Sequence, residues 1–391
     1  MKKFFVCLIA LCFCLILAGC QDSPFNTNPD KHHHEYSNSW YMDSEYHWKE
    51  CSCGNKDLLA EHSYGTDNKC VTCQYLFYST SGLTFTPIKN GTEYEVTGID
   101  ATQLFKQIEL IIPKYYNDKP VTSVGELAFD NGRMYRVQLP DTITNIGKSA
   151  FAYCPNLTSI NIPENCVTIG NYAFNTCRKL VVTQIPDSVT SLGEGAFYEC
   201  DSITEIRLSK SLTEISKELF AGCNNLIQVN IPEGITTINQ GAFILCGFST
   251  INLPSTLKKI DYQAFRRCDL QQIEIPEAVE TIGANAFEWC SQLKTVKLSK
   301  NLQYIFRKAF MDCTSLTTIT IPENVLYIGA SAFLGCNSLN SVVIENPYGW
   351  VAEKYNATVK VMEATEMGTP SVVATLFKSY TSNMDYDFVR K

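Results

Sequence analysis

The sequence is poor in histidine: it has five, and all of them lie between residues 32 and 62. Serine and cysteine nucleophiles usually depend on a neighbouring histidine as general base, so the rest of the chain lacks a Ser-His-Asp or Cys-His site. A phosphate-binding glycine loop is also missing, because the glycines recur singly at a regular spacing. Examples are Gly147, Gly170, Gly193, Gly283 and Gly329. We therefore expect a protein that is not an enzyme.

Positive charge is scarce as well. The chain has 32 Lys and Arg residues against 40 Asp and Glu residues, which gives a formal net charge of -8. Binding to nucleic-acid phosphates requires a concentration of Lys and Arg, so this composition excludes nucleic acid as a partner. With 45% hydrophobic and 12% aromatic residues, the chain can nevertheless bury a sizeable core. We expect a folded, monomeric protein.

The apolar run at residues 4–18 is too short to span a membrane. Lys2 and Lys3 precede it, so the segment has the charged start and the apolar centre of a secretory signal peptide. We assign residues 1–19 to this signal peptide and expect the protein to be secreted.

The end of this segment, Leu17-Ala18-Gly19-Cys20, resembles the bacterial lipobox. The resemblance implies cleavage before Cys20 and a diacylglyceryl group on its thiol, while the alternative is an ordinary signal peptide followed by an incidental cysteine. Residues 20–31 contain two prolines and no periodicity, so we interpret them as a tether. These features predict a protein that is lipid-anchored to the bacterial membrane and exposed at the cell surface.

A Phe-x-x-Cys motif, usually preceded by Ala, recurs every 22 or 23 residues along most of the chain. Phe129 begins the series with Gly132 in place of the cysteine, as expected of an atypical first repeat. The other members are Phe151, Phe174, Phe197, Phe220, Phe243, Phe265, Phe287, Phe310 and Phe333. This spacing defines ten repeats over residues 121–345.

One repeat, LTSINIPENCVTIGNYAF at residues 157–174, shows how each coil is built. The two-residue period of a strand turns Leu157 and Ile160 inward and Asn161 outward. Pro163 ends the strand, and Ile169-Gly170 turns the chain. A unit this short buries its apolar face only against neighbouring units. The pattern predicts a repeat solenoid, a right-handed leucine-rich-repeat coil with a parallel β-sheet and short helical turns.

The full pattern, L-x-x-I-x-I-P-x-x-V-x-x-I-G-x-x-A-F-x-x-C, resembles the BspA-like branch of bacterial leucine-rich repeats. The resemblance implies a surface-exposed protein, because several members are described as adhesins that bind host matrix proteins or other cells. The flanking segments also resemble those of the family. Residues 76–120 would form its N-terminal cap and residues 346–391 its C-terminal cap, which are needed because end coils expose apolar faces and sheet edges.

The chain has 18 cysteines, which in a secreted protein usually indicate disulfides. The nine that follow the repeat phenylalanines recur once per coil with parallel side chains, which disfavours bridging. We interpret them as an inward row of small apolar side chains with free, buried thiols, and Cys166 as occupying the Val position of its repeat.

Residues 32–75 form a small Cys/His-rich module with too few aliphatic residues to fold by core burial alone. The cysteines suit a closed, structural, tetrahedral zinc site, in which a histidine could replace one thiolate. The alternative is one or two disulfides, which are common in secreted proteins. The candidate ligands are Cys51, Cys53, Cys70, Cys73, His47 and His62.

The outward residues of the predicted strands form a polar row, and solenoids commonly bind partners along such a face. A face that merely keeps the protein soluble is the alternative. The candidate binding residues are Asn161, Gln184, Arg207, Asn230, Asn252, Glu274 and Lys297. Two functions follow as hypotheses: an adhesin-like protein that binds a protein or cell-surface ligand, or a structural spacer that displays the zinc module.

Overall fold

A computed structural model describes residues 41–42, 46–50, 56–61, 80–106, 108–354, 357–379 and 386–391. The chain divides into two compact units, of which the first comprises residues 1–79 and 115–119. The described part of the first unit contains an antiparallel sheet and the short strand Tyr115–Tyr116. The strands of this sheet are Tyr41–Met42, Tyr46–Glu50 and Lys56–Glu61.

The second unit, residues 80–114 and 120–391, is a solenoid with parallel sheets, which confirms the predicted fold class. Its first strand ladder lies at the predicted L-x-x-I-x-I segments and is divided into four short parallel sheets. The strands of this first ladder are Glu109–Ile111, Arg136–Gln138, Ser159–Ile160, Glu205–Arg207, Gln228–Asn230, Gln272–Glu274, Thr295–Lys297, Thr318–Ile321 and Ser341–Ile344.

A second ladder runs through the segments where the sequence predicted only a turn. Each coil contributes a strand, mostly of two residues, such as Thr168–Ile169, which pairs in parallel with the coils on both sides. The buried aliphatic residue points inward, and its predecessor points outward. The other strands of this second ladder are Lys119–Val124, Asn145–Ile146, Ser191–Leu192, Glu214–Ile215, Thr237–Ile238, Lys259–Ile260, Thr281–Ile282, Tyr304–Ile305 and Tyr327–Ile328.

The phenylalanine segments close each coil with turns. The prediction of short helical turns is wrong for the repeats, because within residues 121–345, all of which are described, no element is helical. The residues two before and two after each phenylalanine have a left-handed backbone conformation, as at Tyr172 (φ 55°) and Thr176 (φ 58°). Alternate amides then point at the next coil, so that Phe174 N donates to Ala196 O at 2.9 Å. The turns thereby add a third row of hydrogen bonds between coils.

The core is a continuous stack of the ten repeat phenylalanines, each essentially inaccessible to solvent. Successive ring centroids lie 5.1 to 5.9 Å apart. Beyond Phe333, the helix Pro370–Ser379 supplies Phe377, whose ring continues the stack at 5.3 Å. This helix therefore covers the apolar end that the last coil would otherwise expose.

Both ends of the second ladder are extended by further strands. At the N-terminal end, Leu83–Ile88 pairs antiparallel with Glu93–Ile99, which pairs in parallel with Lys119–Val124, the first strand of the second ladder. At the C-terminal end, Asp387–Arg390 pairs with the last ladder strand and with Trp350–Lys354, which in turn pairs with Ala357–Val361. The remaining helices are short: Lys89–Gly91 (3-10), Ala101–Leu104 and Ala364–Met367.

The cysteines of the described residues are all free and buried, as predicted for the repeats. The structure adds a role that the sequence did not reveal. Each of the nine ladder thiols donates to the carbonyl of the phenylalanine in the preceding coil, with Sγ to O distances of 2.9 to 3.3 Å. Phe174 O, for example, accepts both Cys177 N at 3.1 Å and Cys200 Sγ at 3.2 Å. The thiols are therefore weak donors that connect coils.

Burial makes these thiols a source of alkaline instability. It raises the pKa of Cys223 and of Cys290 to about 12, from an ordinary value of 9.0. Between these values the unfolded chain releases protons that the folded chain retains, so stability falls by about 1.4 kcal/mol per pH unit for each such thiol. We expect the free energy of unfolding in urea to decrease as the pH rises from about 9 towards 12.

The double variant Cys223→Ala, Cys290→Ala serves as the control. It lacks two of the titrating groups, so its stability should decrease less steeply over the same pH range. Equal slopes for the variant and the unmodified protein would contradict the assignment of these cysteines as buried, free thiols.

Candidate binding site

The structure places the predicted binding residues on the outer side of the first ladder. Arg207 is half-buried and the other six are exposed. They alternate with buried residues such as Ile206, Val229 and Ile273, as the strand period requires. The row is less continuous than predicted, because residues 249–253 form no strand. In this coil Phe248 occupies the position of a core leucine and packs edge-on against its neighbours.

Five of the seven predicted residues line two depressions on this face. The larger, of about 350 Å³, lies beside the strand break and includes Asn252, Glu274 and Lys297. The smaller, of about 330 Å³, includes Arg207 and Asn230. Asn161 and Gln184 line neither of these two depressions.

Charges in both depressions are paired. Glu274 and Lys297 are register partners on neighbouring strands, and Lys297 Nζ donates to Glu274 Oε1. This hydrogen bond raises the pKa of Lys297. Arg207 Nη1 lies 2.7 Å from Asp187 Oδ1, and this hydrogen bond lowers the pKa of Asp187. Both pairs remain partly accessible to a ligand.

Asn161 has a structural partner instead. Its side-chain Nδ2 donates to Leu139 O at 2.6 Å, and its Oδ1 accepts from Leu139 N at 2.7 Å. The amide thus completes the hydrogen bonding of the preceding coil. An interaction of this kind depends on how two coils align, so the period of a single strand could not predict it.

Further polar residues around the depressions were missing from the predicted row. Thr250 and Thr295 precede Asn252 and Lys297 by two residues, so the strand period places them on the same face. Lys210 and Glu233 line the smaller depression from turns, where no strand pattern applies. Hydroxyl, amide and charged groups of this kind can bind a ligand by hydrogen bonds. Among the described residues, no group of His, Cys, Asp and Glu could hold a metal ion.

Several predicted sites lie outside the described residues, including the signal peptide and the tether at residues 1–31. Of the candidate zinc ligands, only His47 belongs to a described strand, where its backbone is in register with Met42 and Ala60 on the neighbouring strands. No helix in the described part of the chain is long and apolar enough to cross a membrane. The predicted residues outside the description are Cys20, Cys51, Cys53, Cys70, Cys73 and His62.

The repeats match a known family. Its sequence model, described as a BspA type leucine rich repeat region, matches residues 122–247 and 236–349. Together these matches span more than half of the chain. The chain belongs to the BspA-type leucine-rich-repeat family. This membership confirms the resemblance noted in the repeat pattern.

Solved structures of several bacterial repeat proteins are similar to this BspA-type protein. A leucine rich cell surface protein from Faecalibacterium prausnitzii is 24% identical, with a TM-score of 0.43 over 68% of this chain and 88% of its own. A leucine-rich repeat protein from Bacteroides ovatus is 25% identical, with a TM-score of 0.41 and the same coverage. The pneumococcal vaccine antigen PcpA is 21% identical, with a TM-score of 0.49 over 69% of this chain and 82% of its own. Among functionally curated proteins, no sequence matches this chain.

Proposed function

We propose that this BspA-type protein is a non-catalytic, adhesin-like binding protein of the bacterial cell surface. A lipid on Cys20 anchors it to the membrane, and the outer side of the first ladder binds a protein or cell-surface ligand. The observation that supports this proposal most directly is the convergence of Arg207, Asn230, Asn252, Glu274 and Lys297 on two depressions in consecutive coils.

The chemistry of these depressions fits a polar, extended partner. Each depression contains at least one acidic and at least one basic side chain, together with amides or hydroxyls. It therefore offers both donors and acceptors of hydrogen bonds. Backbone hydrogen bonds between coils hold the strands that carry them, for example Ile275 N to Lys297 O at 2.8 Å. A ligand would meet a surface that is already ordered, which reduces the entropy lost on binding.

A substitution on this face tests the proposal. The triple variant Asn252→Ala, Glu274→Ala, Lys297→Ala removes the polar side chains of the larger depression. We expect it to bind immobilised extracellular-matrix proteins or intact cells at least about tenfold more weakly than the unmodified protein, because removing these side chains leaves the polar groups of the ligand buried without hydrogen-bond partners.

The control is Glu126→Ala, Lys148→Ala. It removes an exposed ion pair between neighbouring coils, 3.0 Å between Nζ and Oε1, whose residues line neither depression. The control should bind as the unmodified protein does. A face variant with unchanged binding, or an unmodified protein that binds neither matrix proteins nor cells, would contradict the proposal.

For residues 32–75 a structural zinc ion remains our prediction, and with it the second hypothesis of a surface spacer that displays this module. Metal analysis of the purified protein should find about one zinc ion per chain, lost after Cys51→Ser and Cys73→Ser substitution, because a closed site needs all four ligands. Absence of zinc, combined with cysteines of this segment that resist alkylation in denaturant, would show disulfides instead.

A further inference from the structure

The second ladder ends in a group of aromatic rings on its outer side. Tyr304 and Phe306 are 38% and 39% exposed, and they flank the buried Ile305. Tyr327 is the register partner of Tyr304 in the next coil and is half-buried. The ring centroids of Tyr304 and Phe306 lie 6.1 Å apart, and those of Phe306 and Tyr327 lie 5.6 Å apart. We call Tyr304, Phe306 and Tyr327 the aromatic platform.

The stacking of coils does not require these rings. The position of Tyr304 is occupied by small or polar residues in other coils, such as Thr168, Thr237 and Thr281. The position of Phe306 is most often glycine, as at Gly283 and at Gly329. The core of this coil is supplied instead by Ile305, Ala309 and Phe310 on the inner side. The three large rings on the outer side therefore add solvent-exposed apolar area and are not part of the core.

The surroundings of the platform are polar and shallow. Thr281 is the register partner of Tyr304 on the N-terminal side, and the next strand along the ladder carries the exposed ion pair Lys259–Asp261. The glycine at position 329 leaves no side chain beside Phe306 in the next coil. The ring planes of Tyr304 and Phe306 are nearly parallel, at 18°, and that of Tyr327 is tilted by 53° from Phe306. Hydroxyl, ammonium and carboxylate groups follow these rings along the ladder.

We propose that the aromatic platform binds a glycan chain of β-linked, gluco-configured pyranoses. In such sugars the substituents are equatorial, so the axial hydrogens form an apolar face that can stack on an aromatic ring. The spacing of the rings, 5.6 and 6.1 Å, is comparable with the size of one pyranose. The hydroxyls at the rim of each sugar would then meet the polar groups that follow along the ladder.

A glycan fits this surface better than a protein partner does. Protein hot spots are aromatic or arginine side chains in desolvated pockets surrounded by contacts that exclude water. The platform instead presents rings beside charged and hydroxyl groups that remain hydrated. Tyrosine rings are suited to such a place, because they combine an apolar face with a polar tip. The platform lies on the second ladder and shares no residue with the depressions of the first, so this inference is independent of the proposed protein-binding function.

The test uses variants that take their residues from other coils and so preserve the repeat. The platform variant is Tyr304→Thr, Phe306→Gly, Tyr327→Thr. The control is Tyr153→Thr, which removes a tyrosine that is 50% exposed in a turn, where the next coil has Thr176. Isothermal titration calorimetry of the full chain with barley β-glucan and with chitohexaose measures binding, and thermal unfolding monitored by circular dichroism verifies that the variants are folded.

We expect the unmodified protein and the control to bind at least one of the two probes, and the platform variant to bind at least about tenfold more weakly, because ring stacking supplies most of the contact. Binding by the folded platform variant at unchanged affinity would overturn the proposal. So would an unmodified protein that binds neither probe, including the case in which sedimentation shows that the platform joins two copies of the chain.

Discussion

Replacing Phe220 by alanine should lower the free energy of unfolding by about 3 to 5 kcal/mol, the cost of removing a large aromatic side chain from a packed core. Phe220 is completely buried, and its ring stacks on those of Phe197 and Phe243 at 5.8 and 5.9 Å. Its backbone cannot move to fill the space, because Phe220 N donates to Ala242 O in the next coil at 2.9 Å. The substitution therefore leaves a cavity in the middle of the stack.

The measurement is equilibrium unfolding in urea, with Phe306→Gly as the control. Phe306 is a phenylalanine of the same solenoid, but its ring is exposed, so its loss should change the free energy of unfolding by less than about 1 kcal/mol. Similar changes in the free energy of unfolding for both substitutions would contradict the role of the phenylalanine stack in stabilising the protein.

Gly193→Ala should destabilise the protein by about 1 to 3 kcal/mol, as overpacking typically does. The backbone of Gly193 has an ordinary φ, so the problem is purely steric: a Cβ would lie 2.6 Å from Asn171 Cα and closer still to Asn171 N and Gly170 C. All of these are backbone atoms of the preceding coil. Relief would require the two coils to separate and would weaken the hydrogen bond from Gly193 N to Ile169 O, now 2.8 Å.

Ser216→Ala is the matched control, at the same position of the next coil. This residue already has a Cβ, so the substitution removes only the hydrogen bond from Ser216 Oγ to Leu192 O, at a cost of about 1 kcal/mol. Urea unfolding of both variants gives the comparison. A Gly193→Ala variant as stable as the unmodified protein would show that neighbouring coils tolerate a wider spacing than the structure has.

The fold class and the burial of the phenylalanines and cysteines could be predicted from the sequence. The reason is that a solenoid imposes the same physical requirement on every coil, so each requirement appears as a residue type that returns at a fixed interval. Phe174 or Cys200 alone would indicate little, but ten phenylalanines and nine cysteines in register indicate a row. The outward face of the first ladder followed from the same period.

The second ladder could not be predicted, because a two-residue strand such as Thr168–Ile169 is too short to show alternation. The thiol donors and the backbone partner of Asn161 were also invisible, since each joins groups in different coils whose alignment only the fold defines. The grouping of Tyr304, Phe306 and Tyr327 could not be predicted either, because their rings meet on the outer side of this second ladder.

The sequence by itself thus determined which residues this BspA-type protein buries, because burial is repeated in every coil. Only the tertiary structure decided which exposed residues meet, as Glu274 meets Lys297 and Tyr304 meets Tyr327. Their proximity results from the register of stacked coils and from local breaks in the ladders. Exposed residues need not be the same in every coil. Their types therefore do not recur at a fixed interval, and the sequence does not show which of them lie together.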